Sequence, residues 1–236
     1  MAIDFHEREV IVTGGTGALG IAVVGELLAG GAICHIPYYV EEEEKRFPHR
    51  EHPRVKLIAG GNLASQAVVN RIYDALPKLW ASVHLAGGFA ASPVAETSES
   101  DLVTMLRINL VTCFLCCSAA VRAIRRAGKA GGRIVNVAAR PALEPRLGAG
   151  SAAYAASKAG VAALTQALAA EVLGEGILVN AIAPSIIDTP ANRSAMPKAN
   201  YTLWPTAEEI ASVICGLASP ENRITSGAVI PLYGRA

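Results

Sequence analysis

The sequence predicts an α/β fold, a single doubly wound parallel sheet of about seven strands with helices on both faces. Short apolar runs that end in glycines, such as EVIVTGG and ASVHLAGG, alternate with segments of helical spacing along the whole chain. This alternation is typical of βαβ units. The apolar residues are mostly Ala, Val, Ile and Leu, and aromatic residues make up only 5% of the chain. Such a composition suits strands that are buried on both faces of a sheet.

Each strand and helix has its own signal. The predicted strands are EVIVTGG, AICHIPYY, VKLIAGG, ASVHLAGG, GRIVNVAA, ILVNAIAP and SGAVIPL. The predicted helices are ALGIAVVGELLAGG, SQAVVNRIYDALPKL, a long stretch over residues 99–126, AAYAASKAGVAALTQALAAEVLG and TAEEIASVICGLAS, the last with Thr206 as N-cap. No linker, repeat or low-complexity segment interrupts residues 1–236, and we therefore expect one domain.

Two irregular segments stand out, residues 38–54 and residues 185–205. Long loops after strand ends in such a sheet usually border the ligand crevice. In the first segment, the run EEEEKR places acidic residues ahead of basic ones, which favours a solvated helix start. In the second, Met196, Tyr201 and Trp204 are candidate substrate contacts, with packing inside the loop as the alternative.

Composition and charge exclude several classes of protein. The formal net charge is +1 and charged residues make up 17% of the chain, so no strongly basic face for nucleic acid is expected. The N-terminal residues MAIDFHEREVIVTGG carry charges where a signal peptide needs a continuous apolar stretch. No window reaches the roughly 18 uninterrupted apolar residues of a membrane span. We expect a soluble, cytoplasmic protein with no nucleic-acid or membrane partner.

The five cysteines do not form a disulfide pattern, because their number is odd and their spacing irregular. Cys113, Cys116 and Cys117 have helical spacing, and we interpret them as small core or interface residues. Zinc ligation is the alternative, but a second ligand pair is missing. His49 and His52 are interpreted as surface-loop residues, and no metal site is predicted.

A glycine-rich turn, VTGGTGALG, lies between the first strand and the first helix. Small residues there let the backbone approach a pyrophosphate, and the helix N-terminus supplies N–H donors. The context of strand, turn and helix is the one that a dinucleotide-binding motif requires. A tight turn that merely needs positive φ is the alternative.

The spacing Thr13-Gly14-x-x-x-Ala18-x-Gly20, together with LAGG after the fourth strand, Asn109 in RINL, YAASK and APSIIDTP, resembles the short-chain dehydrogenase/reductase family. The resemblance covers nearly the whole chain and implies a Rossmann-like fold, an NAD(P)-dependent hydride-transfer activity and a small-molecule substrate. It also implies a dimer or tetramer in which helices near residues 99–126 and 152–174 pair. The chain departs from the family pattern at His84 and Leu85, which replace two asparagines, at Ser185, which replaces a glycine, and at Asn62, which often is an aspartate.

By this resemblance a set of residues would bind the cofactor: Gly14, Thr16, Gly17, Ala18, Leu19, Gly20, Tyr38, Asn62, Leu63, Ala86, Gly87, Tyr154, Lys158, Pro184, Ile187 and Thr189. An acidic residue at the end of the second strand would bind the ribose 2′-OH of NAD, whereas a basic residue there would favour NADP. That position is about Tyr38, which is neither, while Lys45 and Arg46 lie downstream. The sequence therefore predicts NAD or NADP without deciding between them.

Tyr154 and Lys158 are four residues apart on a predicted helix, so both face one side. A free tyrosine has a pKa near ~10, and an adjacent ammonium lowers it. In the family this tyrosine exchanges a proton with the substrate oxygen, the lysine holds the nicotinamide ribose, and an asparagine supports a water chain to the lysine. The resemblance assigns these roles to Tyr154, Lys158 and Asn109. An ordinary helix tyrosine with a snorkelling lysine is the alternative.

The family's catalytic serine at the end of the fifth strand is absent, because Ala138 and Ala139 stand where the family has Ser-Ser. Losing one oxyanion donor typically costs about 10²–10³ in rate. Arg140 or Arg146 could supply donors instead. Ser151 is interpreted as helping to start the helix, with a location near the substrate as the alternative. The dihydropteridine reductase branch of the family also lacks the serine while keeping the tyrosine and lysine, and its cradle is similar to GGTGALG. The quinonoid substrate of that branch is already electron-poor, so polarisation of a carbonyl matters less.

The leading hypothesis is an NAD(P)(H)-dependent oxidoreductase acting on a small carbonyl or alcohol, quinonoid or pterin-like substrate. A catalytically weak dinucleotide-binding sensor or partner-binding protein is the alternative, favoured by the missing serine. Retention of Asn109, Tyr154 and Lys158 favours the enzyme. A lyase or epimerase with bound NAD is a weaker third hypothesis, since the chain is short for an extra substrate domain.

Overall fold

The computed structural model describes residues 3–128 and 131–235, and its centre is one sheet of seven parallel strands in the order β3-β2-β1-β4-β5-β6-β7. The doubly wound sheet predicted from the sequence is thus confirmed. The strands are β1 Glu9–Thr13, β2 Ile33–Tyr38, β3 Val55–Ala59, β4 Leu79–His84, β5 Gly132–Val137, β6 Ile177–Pro184 and β7 Val229–Leu232.

Nine α-helices accompany these strands in the described residues. They are α1 Ala18–Ala29, α2 Glu41–Arg46, α3 Gln66–Asp74, α4 Glu99–Met105, α5 Thr112–Arg126, α6 Arg140–Leu143, α7 Ala152–Val172, α8 Pro190–Ala195 and α9 Ala207–Ala218. The expected N-cap of α9 is present, because Thr206 and Glu209 form a reciprocal capping box. Residues 41–46 form α2, as the order of their charges predicts.

The strands bury both faces, which explains their continuous apolar runs. Side chains alternate along a strand, so Ile11 of β1 packs with α3, α5 and α7, whereas Val10 and Val12 pack with α1 and α9 on the opposite face. Each face carries its own hydrophobic core, and the sheet lies between them. This arrangement fixes the strand ends, and with them the loops that form the site.

The helical stretch Glu99–Arg126 is continuous but not uniform. Residues Leu106–Val111 form a π-helical segment between α4 and α5, a distortion that is frequent at functional sites. By length and mean hydropathy (1.8) this 28-residue stretch could cross a membrane, but 44% of its apolar window is buried inside the protein. The packing of α5 against α3 and β4 explains its apolar character without a membrane.

The strand order reverses at the boundary between β1 and β4. Connections from these two strands run to opposite sides, so a crevice opens at their carboxyl ends. Ligands of doubly wound sheets bind at such a switch point. The glycine-rich turn after β1 and the LAGG segment after β4 both lie there.

Candidate active site

At two positions of the turn after β1 only glycine fits, because other backbone atoms lie where a β-carbon would be. Gly14 has φ of +69°, and a β-carbon at this position would lie 2.7 Å from the amide nitrogen of Ala86. A β-carbon at Gly20 would overlap the carbonyl oxygen of Gly14. The amide of Gly17 donates to the same carbonyl at 3.1 Å, closing the turn at the start of α1. The turn therefore leaves backbone amides at the helix N-terminus facing the crevice.

The crevice is a cleft of about 520 Å³. Eight of the residues predicted to bind the cofactor line it: Gly14, Thr16, Gly17, Tyr38, Asn62, Leu63, Ala86 and Gly87. The other lining residues were not predicted from the sequence and are Pro37, Tyr39, Glu43, Gly61, Leu85, Ile108 and Thr112. The cleft thus joins the ends of β1, β2, β3 and β4 with the π-helical segment.

One wall of the cleft carries an acidic side chain, and a second lies next to Tyr38. Glu43 lines the cleft from α2, and its Oε2 accepts a hydrogen bond from the amide of Tyr39 at 3.0 Å. The Glu44 carboxylate, through its hydrogen bond to the phenol, raises the pKa of Tyr38. On the facing side, Asn62 Oδ1 accepts from the amide of Ala64 at 2.9 Å, which leaves the Asn62 amide nitrogen as a donor. Among the described residues lining the cleft, Glu43 is the charged one.

The remaining predicted cofactor residues do not belong to the lining of the cleft. Ala18 and Leu19 form the first turn of α1, together with Gly20. Pro184 ends β6 and is paired with Leu232 of β7. Ile187 packs against the core below β6, and Thr189 caps α8 by accepting from the amide of Asn192 at 3.2 Å. Ser185, which replaces a family glycine, donates to the carbonyl of Tyr233 at 2.9 Å.

Tyr154 and Lys158 lie on one face of α7, as their spacing predicts. The Lys158 ammonium lies 6.0 Å from the centroid of the Tyr154 ring and donates to the carbonyl of Val137 at 2.8 Å. The Tyr154 ring packs edge-on against Phe89, with 4.9 Å between ring centroids. Lys158 is 8% exposed, so little solvent surrounds its charge, which lies at the end of β5.

The pKa of each of these groups moves in the direction that burial dictates. Desolvation raises the pKa of Tyr154 to about 12, and it lowers the pKa of Lys158 to about 8. The expectation that the ammonium would lower the tyrosine pKa is therefore wrong for this geometry, because desolvation outweighs an ammonium that lies across the ring and is held by Val137. The phenol is protonated near neutral pH and is placed to donate its proton.

Asn109 is fixed inside the π-helical segment. Its Nδ2 donates to the carbonyl of Gly88 and to Ser157 Oγ, at 3.0 and 3.1 Å, and its Oδ1 accepts from the amide of Gly88 at 3.0 Å. A β-carbon at Gly87 would lie 2.6 Å from Asn109 Oδ1 and 3.5 Å from Lys158 Nζ. Asn109 and Lys158 therefore meet at Gly87, at the edge of the cleft.

The position of the absent serine is occupied by a buried methyl group, since Ala139 is 3% exposed. Arg140, which follows it, pairs with Glu144 at 3.2 Å and stacks on the Tyr233 ring at 4.4 Å. Arg146 is exposed, on a separate cavity lined by α6 and α7 residues. Ser151 occupies the N-cap position of α7 but makes no capping hydrogen bond.

The candidate substrate loop packs largely on itself. The rings of Tyr201 and Trp204 are 5.0 Å apart, and the Tyr201 hydroxyl donates to the carbonyls of Arg193 and Met196. Trp204 is buried. By contrast Phe89, which sequence reasoning did not single out, is 67% exposed beside Tyr154. The sequence signal that could have identified Phe89 as a site residue is its position directly after the glycines of the LAGG segment.

This arrangement fits a dinucleotide. The glycine turn excludes side chains where a pyrophosphate must approach, and the cleft lies at the switch point of the sheet. The Lys158 ammonium lies beside Gly87 of the cleft lining, with the Tyr154 ring 6.0 Å away. The class of protein that the fold and site define is therefore a dinucleotide-dependent oxidoreductase. The family model described as short chain dehydrogenase matches residues 8–200. The chain belongs to the short-chain dehydrogenase/reductase family, as the resemblance of its motifs predicts, and is an NAD(P)-dependent oxidoreductase.

Relatives of this chain act on diverse compounds. It is 30% identical to a (2S)-[(R)-hydroxy(phenyl)methyl]succinyl-CoA dehydrogenase subunit of Thauera aromatica, over 98% of this chain and 97% of the relative. It is also 30% identical to a galactitol 2-dehydrogenase of Rhizobium johnstonii, over 94% and 92%. Among solved structures, a glucose/ribitol dehydrogenase-type member from Brucella melitensis superposes with a TM-score of 0.89 at 28% identity, covering 99% and 98% of the two chains. ElxO with NADP bound superposes with a TM-score of 0.87 at 25% identity, covering 97% and 98%.

Proposed function

We propose that this protein is a reductase in which Tyr154 donates a proton to a small carbonyl, quinonoid or pterin-like substrate. The observation that carries the proposal is that the Tyr154 ring and the buried Lys158 ammonium, 6.0 Å apart, lie beside Gly87 of the cleft lining. A nicotinamide cofactor supplies the hydride when bound. Lys158 would hold the ribose and stabilise the phenolate left behind, and Asn109 would keep Gly87 and Gly88 in position beside it.

The buried methyl of Ala139 supports an electron-poor substrate. An ordinary ketone gains its reactivity partly from a donor that polarises the carbonyl, and such a donor typically contributes about 10²–10³ in rate. Ala139 offers no donor, and Arg140 is held by Glu144 and Tyr233. A quinonoid substrate needs less polarisation, so we place quinonoid and pterin-like compounds ahead of simple ketones.

We further propose NAD(H) as the preferred cofactor. Glu43 in the cleft wall and Glu44 at Tyr38 put negative charge beside the second strand's end, where the extra phosphate of NADP would be repelled. Lys45, a candidate partner for that phosphate, instead lies 3.6 Å from the Glu41 carboxylate. ElxO binds NADP, and the acidic wall of this chain favours the other cofactor.

A sensor without turnover is the second candidate, favoured by the absence of the serine.

The expected dimer or tetramer and the cytoplasmic location stay predictions. Light scattering at micromolar concentration tests the first, and a monomer would contradict it.

The experiment that tests the reductase measures oxidation of NADH and NADPH by absorbance against ketones, quinones and quinonoid pterins. Turnover is expected with at least one electron-poor substrate, and Tyr154→Phe should lower kcat by about 10²–10⁴ while cofactor affinity is retained. Tyr201→Phe is the matched control, because the Tyr201 hydroxyl bonds only to loop carbonyls among the described contacts. Tight cofactor binding without oxidation across the panel would favour the sensor. Unchanged turnover in Tyr154→Phe would contradict the proton-donor role.

A further inference from the structure

A second group of reactive side chains lies directly behind the cleft. His84 ends β4, and Cys113 and Cys117 are one turn apart on α5, which packs against that strand. The imidazole nitrogen and the two sulfurs all lie within 4.8 Å of one another, and all three residues are buried. The sequence shows only the two cysteines at helical spacing, because the histidine is contributed by a strand about 30 residues earlier.

The His84 ring is held in the orientation of a metal ligand. Its Nε2 lies 2.7 Å from Ser82 Oγ and 3.3 Å from Tyr73 Oη, while Nδ1 lies 3.6 Å from Cys117 Sγ. When Nε2 carries the ring proton and donates it to these hydroxyls, Nδ1 keeps a lone pair on the side of Cys117 Sγ and can bind a metal ion. Without a metal ion, the 2.8 Å distance from Nδ1 to Asn136 Oδ1 is that of an Nδ1–H donor to this oxygen, so metal binding moves the ring proton to Nε2. A metal-bound histidine typically donates its other ring N–H in this way, which fixes both tautomer and ring orientation.

A neutral oxygen occupies the remaining side of the group. Asn136 Oδ1 lies 2.8 Å from His84 Nδ1 and 3.4 Å from Cys117 Sγ. Its orientation is set by the amide nitrogen of the same side chain, which donates to Thr165 Oγ1 at 2.9 Å. Two sulfurs, one imidazole nitrogen and one oxygen thus converge from β4, β5 and α5.

The charges of such a group balance those of a divalent ion. Two thiolates carry a charge of −2, and imidazole and amide are neutral, so a bound Zn²⁺ gives a centre without net charge. This balance matters because an uncompensated charge is costly in the interior. Thiolate and imidazole are also the ligands that zinc prefers, in four-coordinate geometry.

We propose that His84, Cys113 and Cys117 bind one Zn²⁺, with Asn136 Oδ1 as the fourth donor, as a structural site that joins β4 to α5. The site is separate from the hydride-transfer chemistry and does not depend on the proposed substrate. Its position gives it a role in the cleft, since His84 precedes Leu85 and Cys113 follows Thr112, and both of these neighbours line the cleft. Two thiol protons leave when the ion binds, and loading occurs as the chain folds, because the ligands are buried.

The test uses full-length protein produced in zinc-supplemented and, separately, cobalt-supplemented medium. Elemental analysis should give about one ion per chain, and the cobalt form should show sulfur-to-cobalt charge-transfer absorption. X-ray absorption of the wild-type zinc form should show two sulfur ligands near ~2.3 Å and nitrogen or oxygen ligands near ~2.0 Å. Cys113→Ala and Cys117→Ala should lose the ion, whereas Cys215→Ala, a buried cysteine on the opposite face of the sheet, should keep it.

The X-ray absorption measurement needs no variant, so it decides the matter even where a cysteine variant fails to fold. Wild-type protein with far less than one ion per chain from both media would overturn the proposal and leave the group as a hydrogen-bonded polar cluster. A zinc shell of nitrogen and oxygen alone would overturn it as well, and would indicate surface binding, for example at His49 and His52.

Discussion

The ammonium of Lys158 donates a hydrogen bond to the main-chain carbonyl of Val137, at 2.8 Å. This bond joins α7 to the end of β5 and fixes the charge beside Ala138 and Ala139, where the family has its serines. The lysine is 8% exposed, and burial lowers its pKa from 10.5 to about 8. The proposed catalytic lysine is therefore held at a cost to the stability of the fold.

The first prediction concerns the pH dependence of stability. Because the folded-state pKa of Lys158 lies below its unfolded value, the charged lysine destabilises the fold below about pH 8, and this penalty is relieved as the pH rises towards about 10.5. The difference in free energy of unfolding between wild type and Lys158→Met should shift in favour of wild type by about 2 kcal/mol from about pH 7 to about pH 9.5. Urea denaturation of both proteins at the two pH values measures it.

Lys78→Met serves as the control, since Lys78 is exposed and shows no such burial. Its difference from wild type should stay constant over the same range. A constant difference for Lys158→Met as well would show that Lys158 titrates with an ordinary pKa in the folded protein.

The second prediction concerns the contact between Gly87 and Asn109. A β-carbon at position 87 would lie 2.6 Å from Asn109 Oδ1, and the asparagine cannot swing away without losing its bonds to Gly88 and Ser157. Gly87→Ala should therefore displace the cleft edge and lower kcat/KM by about 10-fold to 10²-fold, as misplacements near 1 Å do. Steady-state kinetics and cofactor titration measure the loss.

Gly216→Ala provides the matched control for that substitution. Gly216 lies inside α9, and a β-carbon there meets nothing within 4 Å outside its own helix. The change should leave kcat/KM unaltered and raise the free energy of unfolding by about 0.5–1 kcal/mol. Equal kinetic behaviour of the two variants would refute the proposed importance of the Gly87 contact.

The fold could be predicted from the sequence because its signals are local and repeated. Six of the seven strands are apolar runs that end near a glycine or another small residue, the exception being β2, and the cap of α9 is readable in Thr206 and Glu209. The π-helical segment around Asn109 could not be predicted, and neither could the bonds of that asparagine to Gly88 and Ser157, which join elements distant in sequence.

The site was predictable where a residue belongs to a motif, as at Gly14, Tyr154 and Lys158. It was not predictable where distant elements meet. Glu43 enters the cleft wall because α2 folds back beside β2, and only the tertiary structure brings its carboxylate there. The direction of the Tyr154 pKa shift likewise depends on burial, which four-residue spacing does not reveal.

The third prediction tests the cofactor preference. Glu43→Gln keeps an oxygen for the Tyr39 amide but removes the negative charge from the cleft wall. The ratio of Kd for NADPH to Kd for NADH should exceed one in wild type and fall by about 10-fold in the variant, as expected for one repulsive charge near the surface. Fluorescence titration of both cofactors measures the ratio. Glu42→Gln, exposed and outside the cleft lining, should leave it unchanged; an NADPH preference in wild type would contradict the proposal.

The last prediction concerns Ala139→Ser, which would restore the serine hydroxyl that the family carries at this position. Ala139 is extended, with φ of −163°, and is buried at the end of β5 without belonging to either hydrophobic core. Ala139→Ser should raise kcat/KM on simple ketones by about 10-fold or more, because it adds a donor of the kind whose loss typically costs about 10²–10³. Turnover of a quinonoid substrate should change little, since its reactivity depends less on polarisation of a carbonyl.

Ala138→Ser is the matched control. Ala138 faces the core shared with α5 and α7, so a hydroxyl there should lower stability and give no gain in turnover. A similar gain on ketones and quinonoid substrates, or none on ketones, would show that the methyl at Ala139 does not determine which substrates this enzyme reduces.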